Sequence, residues 1–285
     1  MNTGEPRRFI LWISLPLAVL AAIAACAGLL WAPTYAQEKP LWAAMGMGGD
    51  AVNLFVIVPV LLASALLARK GSVPACLVWI GTLVFLLYNF LIYALAVHFN
   101  EVFLVYCGVL GLSFFGLMGI LPALSISEIA NRYSQRAPVK TTAAALFLIA
   151  LIFGAQWLRE IIPALGSGQA PKGVAELGLL TNPVHVLDLS FVLPANLIVA
   201  LLLLRRKPVA FTMAPVLLVF STLMPVALVG MIVAMVLKGL SKDYAPAAMF
   251  AAMTAALAVL LARHLRSPNA GQDLPVADRR HARGL

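Results

Sequence analysis

Charged residues are scarce in this chain. Only 11% of its 285 residues are Asp, Glu, Lys or Arg, whereas a soluble domain carries about 25%. Hydrophobic residues make up 62% of the sequence, and the mean hydropathy is +0.98. This composition excludes an ordinary soluble domain and indicates a membrane protein.

Cysteine and histidine are also rare, with three Cys and four His. Cys26, Cys76 and Cys107 lie in apolar stretches without C-x-x-C spacing, which argues against a disulfide framework or a structural zinc site. The sequence has no H-E-x-x-H metal motif, no G-x-x-x-x-G-K-[ST] phosphate loop and no G-x-S-x-G nucleophile motif. We therefore predict no cofactor, no metal and none of the reactions that these motifs support.

Basic residues outnumber acidic ones, 20 against 11, which gives a net charge of +9. Such an excess can indicate a nucleic-acid partner, but here the basic residues stand in short segments beside apolar runs. In that position Lys and Arg set the orientation of a membrane protein. We therefore predict no nucleic-acid partner, and a lipid bilayer as the surroundings of the chain.

The apolar residues are collected in runs of about 18 to 29 residues, enough to cross a hydrocarbon core of roughly 30 Å as helix. Backbone groups find no water in lipid, so each run is expected to be α-helical. The sequence thus predicts an all-α, polytopic transmembrane bundle. Its expected spans, about eight, are 9–32, 51–68, 74–97, 102–124, 141–163, 184–204, 209–237 and 245–264.

The basic residues predict an orientation. With the N-terminus in the cytoplasm, 15 of the 20 Lys and Arg fall on the cytoplasmic side. The exceptions are Lys39, Arg159, Lys172, Lys238 and Lys242. This asymmetry predicts a multi-pass protein of the cytoplasmic (inner) membrane with both termini inside. Seven spans is the alternative, if one end segment is misassigned.

The first apolar run also resembles an export signal. Arg7 and Arg8 precede it, residues 23–26 (IAAC) resemble a lipoprotein signal, and residues 34–36 (TYA) resemble a signal-peptidase site. The run extends to Trp31, however, and is longer than the 7–15 residues of a signal h-region. Its length favours a retained membrane helix over a cleaved signal.

The chain is predicted to have one membrane domain and a tail. Residues 1–266 form the transmembrane bundle in this prediction, and residues 267–285 form a disordered cytoplasmic tail. Residues 125–140, between two spans, have room for a short surface helix. No separate soluble domain is predicted.

Two stretches match when they are offset by 135 residues. Residues 48–59 (GGDAVNLFVIVP) then lie over residues 183–194 (PVHVLDLSFVLP), and Pro59 matches Pro194. Each stretch carries two polar residues three positions apart, followed by a proline and then a basic end. The match favours two parallel four-helix repeats, at residues 9–124 and 141–264.

Polar residues collect near the predicted outer ends of the spans. Asp50 with Asn53, and His185 with Asp188, share a helix face by their i, i+3 spacing. Ionisable groups at membrane depth are costly and tend to face the bundle interior or a wet cavity. We expect one outward-facing polar vestibule for a small solute or ion. The candidate ligand-binding residues are Asp50, Asn53, Asn89, Tyr93, His98, Glu101, His185 and Asp188.

These residues also have simpler explanations. The two pairs could cap and fasten helices, with Asp188 fixing the His185 tautomer through a hydrogen bond. Glu101, near a span end, could merely reach water. His98, Glu101, His185 and Asp188 are acceptable zinc ligands, but no dense motif supports a metal site, and we predict none.

Small residues recur at every fourth position of the last run, in Ala247, Ala251 and Ala255. Such a stripe lets helices approach closely. We expect it to pack within the bundle, or against a second copy or another membrane partner. Tryptophans, including Trp79 and Trp157, are expected near the membrane interfaces.

Four stretches together resemble a group of bacterial multi-pass membrane proteins of unassigned activity that are sometimes labelled permeases. They are residues 49–54 (GDAVNL), 88–93 (YNFLIY), 99–106 (FNEVFLVY) and 183–189 (PVHVLDL). The resemblance covers roughly residues 9–265 and implies a cytoplasmic-membrane location, but no mechanism.

Three functions fit these observations. The first is a transporter or permease-like protein that binds a small solute or ion at the repeat interface. The second is an assembly or sensing subunit without turnover. The third is a membrane-embedded enzyme that uses His185 and Asp188 on a lipid or periplasmic substrate. We favour the first and expect no enzymatic activity.

Overall fold

The structure, a computed structural model, describes residues 5–135 and 137–266, with side chains from residue 8 onward. The predicted tail, 267–285, lies outside the described residues. Eight helices are long and apolar enough to cross a membrane, which confirms the predicted all-α, multi-pass architecture. We number them span 1 to span 8: Arg8–Leu30, Pro40–Arg69, Val73–Ala96, Phe103–Ala123, Val139–Ser167, Pro183–Leu204, Pro208–Leu237 and Ala245–Leu265.

Span 2 begins earlier than the sequence predicted, at Pro40 rather than at residue 51. Glycines and an aspartate at residues 46–50 interrupt the apolar run there, and composition alone therefore started the span too late along the chain. The segment is helical because it packs against span 7. A proline at the first helical position also favours this start.

The contact between spans 2 and 7 is a close backbone crossing. A Cβ atom on Gly48 would stand 2.4 Å from the Gly230 carbonyl oxygen, and one on Gly230 would stand 2.7 Å from the Gly48 carbonyl oxygen. The two backbones therefore meet directly at these glycines, with the Val52 side chain of span 2 also against Gly230. Small residues allow membrane helices to approach in this way.

Two contacts lie at the end of the bundle that we call the basic end. Arg206 Nη1 donates to the Ser134 carbonyl oxygen at 3.0 Å, which ties the loop after span 6 to the expected short helix, Ile126–Tyr133. Thr142 Oγ1 lies 3.2 Å from His264 Nδ1, so spans 5 and 8 also meet here. This end carries the polar segments in which most of the basic residues stand.

The loops at the other end of the bundle, called the opposite end, are held by two hydrogen bonds. Lys39 Nζ donates to the Ala175 carbonyl oxygen at 2.7 Å, which ties the segment before span 2 to the short helix Lys172–Leu177. Trp42 Nε1 donates to the Ala96 carbonyl oxygen at 3.2 Å and joins spans 2 and 3. The loops at this end are therefore fastened to one another.

Span 3 lies at the centre and contacts spans 2, 4 and 7. Trp79 is fully buried and donates its Nε1 proton to Ser14 Oγ of span 1 at 2.7 Å. It is therefore inside the bundle rather than exposed at a membrane interface. The rings of Phe85 and Phe220 lie 6.4 Å apart between spans 3 and 7.

Spans 2 and 6 each contain one wide helical turn just before a proline. The segments Asn53–Ile57 and Asp188–Val192 are π-helical and precede Pro59 and Pro194. Proline has no N–H and its ring clashes with the carbonyl four residues earlier, and a wider turn relieves that clash. Both turns keep the 135-residue offset of the sequence match. The repeat itself stays a prediction.

Span 8 packs mainly against span 7. Of its alanine stripe, Ala247 is buried, whereas Ala251 and Ala255 are exposed on the surface of the bundle. Most of the stripe is thus not packed within the bundle. Contact with a second copy or another membrane helix stays a prediction.

Candidate functional site

A buried carboxyl group lies where span 2 meets spans 1 and 3. The Asp50 side chain is 1% exposed. Tyr35 donates its hydroxyl proton to Asp50 Oδ2 at 2.6 Å, and Tyr93 donates to Oδ1 at 3.0 Å. Both carboxyl oxygens therefore have a donor within the protein.

The space around this carboxyl group is filled. A Cβ atom on Gly28 would stand 1.7 Å from Asp50 Oδ2, and one on Gly46 would stand 2.6 Å from the Tyr35 ring. Two glycines of different spans thus make room for the tyrosine and the carboxyl group. So close a fit indicates a structural clamp between spans 1, 2 and 3 rather than a binding pocket.

Tyr35 belongs to the short turn Ala32–Tyr35, outside the spans. Burial raises the pKa of Tyr35 well above its usual range, and the neighbouring Tyr93 and Asp50 raise it further. The hydroxyl group therefore keeps its proton at neutral pH. It remains a hydrogen-bond donor, and its bond to Asp50 fastens this turn to span 2.

We expect Tyr93→Phe to lower the free energy of unfolding by about 1–3 kcal/mol, because a buried carboxyl oxygen of Asp50 loses its donor. Thermal unfolding in detergent micelles would measure the change. Tyr244→Phe is the matched control, since Tyr244 is 52% exposed and its loss of a hydroxyl should change little. Equal stability of the two variants would contradict the clamp.

Asn53 lies one helical turn after Asp50 and is also 1% exposed. Asn89 Nδ2 of span 3 donates to Asn53 Oδ1 at 3.1 Å. Among the described residues, Asn53 Nδ2 has no hydrogen-bond partner. The first polar pair is thus bound to span 3 through two separate contacts, at Tyr93 and at Asn89.

A second buried carboxyl group lies where span 6 meets spans 3 and 5. Asp188 is 9% exposed and is the first residue of the π-helical turn. Trp157 Nε1 donates to Asp188 Oδ2 at 2.8 Å, and Tyr88 donates its hydroxyl proton to Oδ1 at 3.0 Å. Within the described part of the chain, no Lys or Arg forms an ion pair with this carboxyl group.

His185 lies one turn before Asp188 and is 6% exposed. Its ring packs 4.7 Å from the Trp157 ring, measured between centroids. Its Nε2 atom has no hydrogen-bond partner in the described ranges and stands 3.7 Å from Glu160 Oε2. Among the described residues no hydrogen bond joins His185 to Asp188, which accepts from Tyr88 and Trp157 instead.

Asp188, unlike Asp50, borders a cavity. The cavity has a volume of about 50 Å³ and lies between spans 5, 6, 7 and 8. Its polar lining is Asp188 and Ser221, and its apolar lining includes Phe153, Met224 and Met253. Since one water needs roughly 10–15 Å³ of such volume, the cavity has room for a few water-sized groups.

The two carboxyl groups lie at a similar depth in the bundle. At about 1.5 Å per residue, Asp50 is roughly 28 Å along its helix from Arg69, and Asp188 is roughly 26 Å from Arg205. The hydrocarbon core is about 30 Å thick. Each carboxyl group thus lies most of a hydrocarbon thickness along its helix from the basic residue that follows the span, and an ionised group within such an apolar span is costly.

The predicted site residues separate into groups. Asp50 meets Tyr93, Asn53 meets Asn89, and the pair of His185 and Asp188 lies in the second cluster. No hydrogen bond joins the two polar pairs directly in the described part of the chain; adjacent residues of span 3 link them. Five of the eight are at most 7% exposed, and they therefore do not line an open vestibule: Asp50, Asn53, Asn89, Tyr93 and His185.

His98 and Glu101 lie apart from both clusters. His98 Nδ1 stands 3.0 Å from Glu38 Oε1, and its backbone N–H also donates to that oxygen. Glu101 is exposed and borders a crevice with Thr34. Among the described residues, no group of three or more His, Cys, Asp or Glu could hold a metal ion.

Sequence reasoning missed several residues that lie around the two carboxyl groups. Tyr35 stood in an export-signal motif, and Trp157 was expected only to mark an interface. Tyr88 stands on the same span as Tyr93, five residues earlier, but its hydroxyl group donates to Asp188 whereas that of Tyr93 donates to Asp50. Ser221 gave no signal, since a serine inside an apolar run usually bonds to its own helix.

Comparisons with protein-family models, with curated proteins and with solved structures found no match to this chain. The coarse assignment, a multi-pass membrane protein, therefore rests on the eight apolar helices. The resemblance to permease-labelled bacterial proteins remains an expectation. The candidate function must be argued from the geometry of the two clusters.

Proposed function

We propose that the chain is a permease-like transporter of the bacterial cytoplasmic membrane, with both termini inside, and that Asp188 binds the transported ion. The observation that carries this proposal is the single carboxyl group at a cavity within the membrane, without a basic partner among the described residues. An ionised carboxyl group in such surroundings is unfavourable unless it is paired. A bound cation would supply the missing charge.

The contrast with Asp50 supports this choice of residue. Two tyrosines and the Gly28 backbone surround Asp50, so its surroundings are filled by protein atoms. Asp188 has donors on one side and the cavity on the other. Intramembrane carboxyl groups that face a cavity commonly mark ion pathways.

The helices around Asp188 are also suited to movement. Span 6 carries the π-helical turn, and span 7 contains Pro215 and Pro225. Irregular turns and prolines bend helices and leave backbone carbonyls without intrahelical donors. Transporters place binding groups at such interruptions. A purely structural subunit has no need of a cavity beside a carboxyl group that lacks a basic partner among the described residues.

Electrical measurement on proteoliposomes tests the proposal. Proteoliposomes that contain the purified protein are adsorbed on a solid-supported membrane. They are then given rapid jumps in NaCl concentration, KCl concentration or pH. We expect a transient current for at least one of the three jumps. We expect Asp188→Asn to reduce that current at least tenfold, because the neutral amide no longer attracts a cation.

The matched control is Glu176→Gln, which neutralises an exposed carboxyl group in the short helix Lys172–Leu177. Its current should equal that of the unmodified protein. Thermal unfolding of each variant shows whether it is folded. A folded protein that gives no current with any of the three ions, or an Asp188→Asn variant with full current, would overturn the proposal.

A further inference from the structure

Two irregular helices border the cavity that Asp188 lines. The carboxyl group stands on the π-helical turn of span 6. Ser221 of span 7 borders the same cavity and is 6% exposed, and Pro225 lies four residues later and also borders it. Because proline has no N–H, the Ser221 carbonyl oxygen lacks its usual helical donor.

We propose that this cavity binds a small, weakly polarisable monovalent cation of the sodium type. Its ligands are the Asp188 carboxylate, the Ser221 hydroxyl and the Ser221 carbonyl oxygen. The inference rests on the proposed function and names its ion. Carboxylate, hydroxyl and carbonyl oxygens suit hard cations, and interrupted membrane helices present such carbonyls to sodium ions.

Charge selects a monovalent ion. Asp188 supplies one negative charge, and Ser221 supplies none. Within the described ranges, the acidic residue near this cluster besides Asp188 is Glu160, which stands beside His185 and does not border the cavity. One monovalent cation neutralises the site, whereas a divalent cation would leave an excess positive charge in an apolar region, which is costly.

The carboxylate has free acceptor positions for such an ion. An ionised carboxylate offers about four lone-pair sites, and Trp157 and Tyr88 use one on each oxygen of Asp188. These two donors also fix the orientation of the carboxylate between spans 3 and 5. The volume of about 50 Å³ favours a small ion with one or two waters over a larger solute.

Binding can be measured without transport. The thermal unfolding midpoint of the purified protein in detergent is followed while NaCl replaces choline chloride at constant ionic strength. A bound ion stabilises the folded state by mass action, so we expect a saturable rise of the midpoint with NaCl. KCl should produce a smaller rise at the same concentration.

Three variants test the ligands. Ser221→Ala should weaken the apparent sodium affinity roughly five- to tenfold, because a neutral oxygen ligand is lost. Pro225→Ala should also weaken it, since an N–H is restored that can bond to the Ser221 carbonyl. Thr222→Ala is the matched control, because the Thr222 hydroxyl donates to the Leu218 carbonyl oxygen of its own helix and sodium affinity should be unchanged.

The outcomes separate this inference from the proposed function. If NaCl does not stabilise the folded protein, or if Ser221→Ala and Pro225→Ala bind sodium as the unmodified protein does, the sodium site is wrong. Currents that follow a pH or KCl jump and depend on Asp188 would then still support transport. Sodium binding that depends on Ser221, without any current, would instead retain the site and refute the transporter.

Discussion

Replacement of Gly28 by alanine should destabilise the protein by about 3 kcal/mol or more, at the upper end of the cost of overpacking. The added Cβ atom would stand 1.7 Å from Asp50 Oδ2, too close for the two groups to coexist. The carboxyl group would have to leave Tyr35 and Tyr93 and so break the clamp between spans 1, 2 and 3. Thermal unfolding in detergent, followed by tryptophan fluorescence, measures the effect.

Gly111→Ala is the matched control for this variant. Gly111 also lies inside a span, and a Cβ atom there would meet nothing within 4 Å. Its replacement should leave the unfolding midpoint unchanged or raise it slightly, because alanine loses less backbone entropy than glycine on folding. If Gly28→Ala behaved like Gly111→Ala, Asp50 would not be held as described.

Replacement of Gly48 by alanine should have an effect of similar size, about 3 kcal/mol or more. The new Cβ atom would stand 2.4 Å from the Gly230 carbonyl oxygen and 2.6 Å from the Met231 Cα atom. Both are backbone atoms, and they cannot rotate aside as a side chain could. Spans 2 and 7 would therefore have to separate along their whole contact.

Gly166→Ala serves as the control for Gly48→Ala, since a Cβ atom on Gly166 would meet nothing within 4 Å. The same unfolding measurement applies to both variants. A cysteine pair placed across spans 2 and 7 would report their separation independently. Unchanged stability of Gly48→Ala would show that the two backbones do not cross as closely as described.

The two glycine contacts show that the two polar pairs have different surroundings. Gly28 and Gly48 hold span 2 tightly between spans 1, 3 and 7, and Asp50 is part of that rigid region. Asp188 has no comparable glycine against it and borders a cavity instead. The sequence match at an offset of 135 residues relates the two stretches, but the surroundings of each carboxyl group differ.

Much of the fold could be predicted from the sequence. Lipid provides no hydrogen bonds for backbone groups, so every long apolar run had to be a helix, and seven of the eight starts fell within two residues of those predicted. Span 2 was the exception. Glycine and aspartate at residues 46–50 lower the local hydropathy, and the predicted start was therefore too late. Glycine there nevertheless permits the contact with span 7.

The candidate site was predictable only in part. Helical spacing placed Asp50 with Asn53, and His185 with Asp188, near one end of the bundle. It could not supply the donors Tyr35, Tyr88 and Trp157 or the cavity residue Ser221, because these come from other segments of the chain. Hydropathy and helical period describe one helix at a time and carry no information on which faces of different helices meet.

By itself the sequence determined a helical membrane protein, the pairing of polar residues on two helix faces and the proline that follows each pair. The helices follow from the solvent properties of lipid, and the shared faces follow from the helical period. The tertiary structure alone decided that Asp50 is enclosed by tyrosines and glycine while Asp188 faces a cavity. That difference arises from packing between distant spans, where a few ångströms separate a filled space from one that can receive an ion.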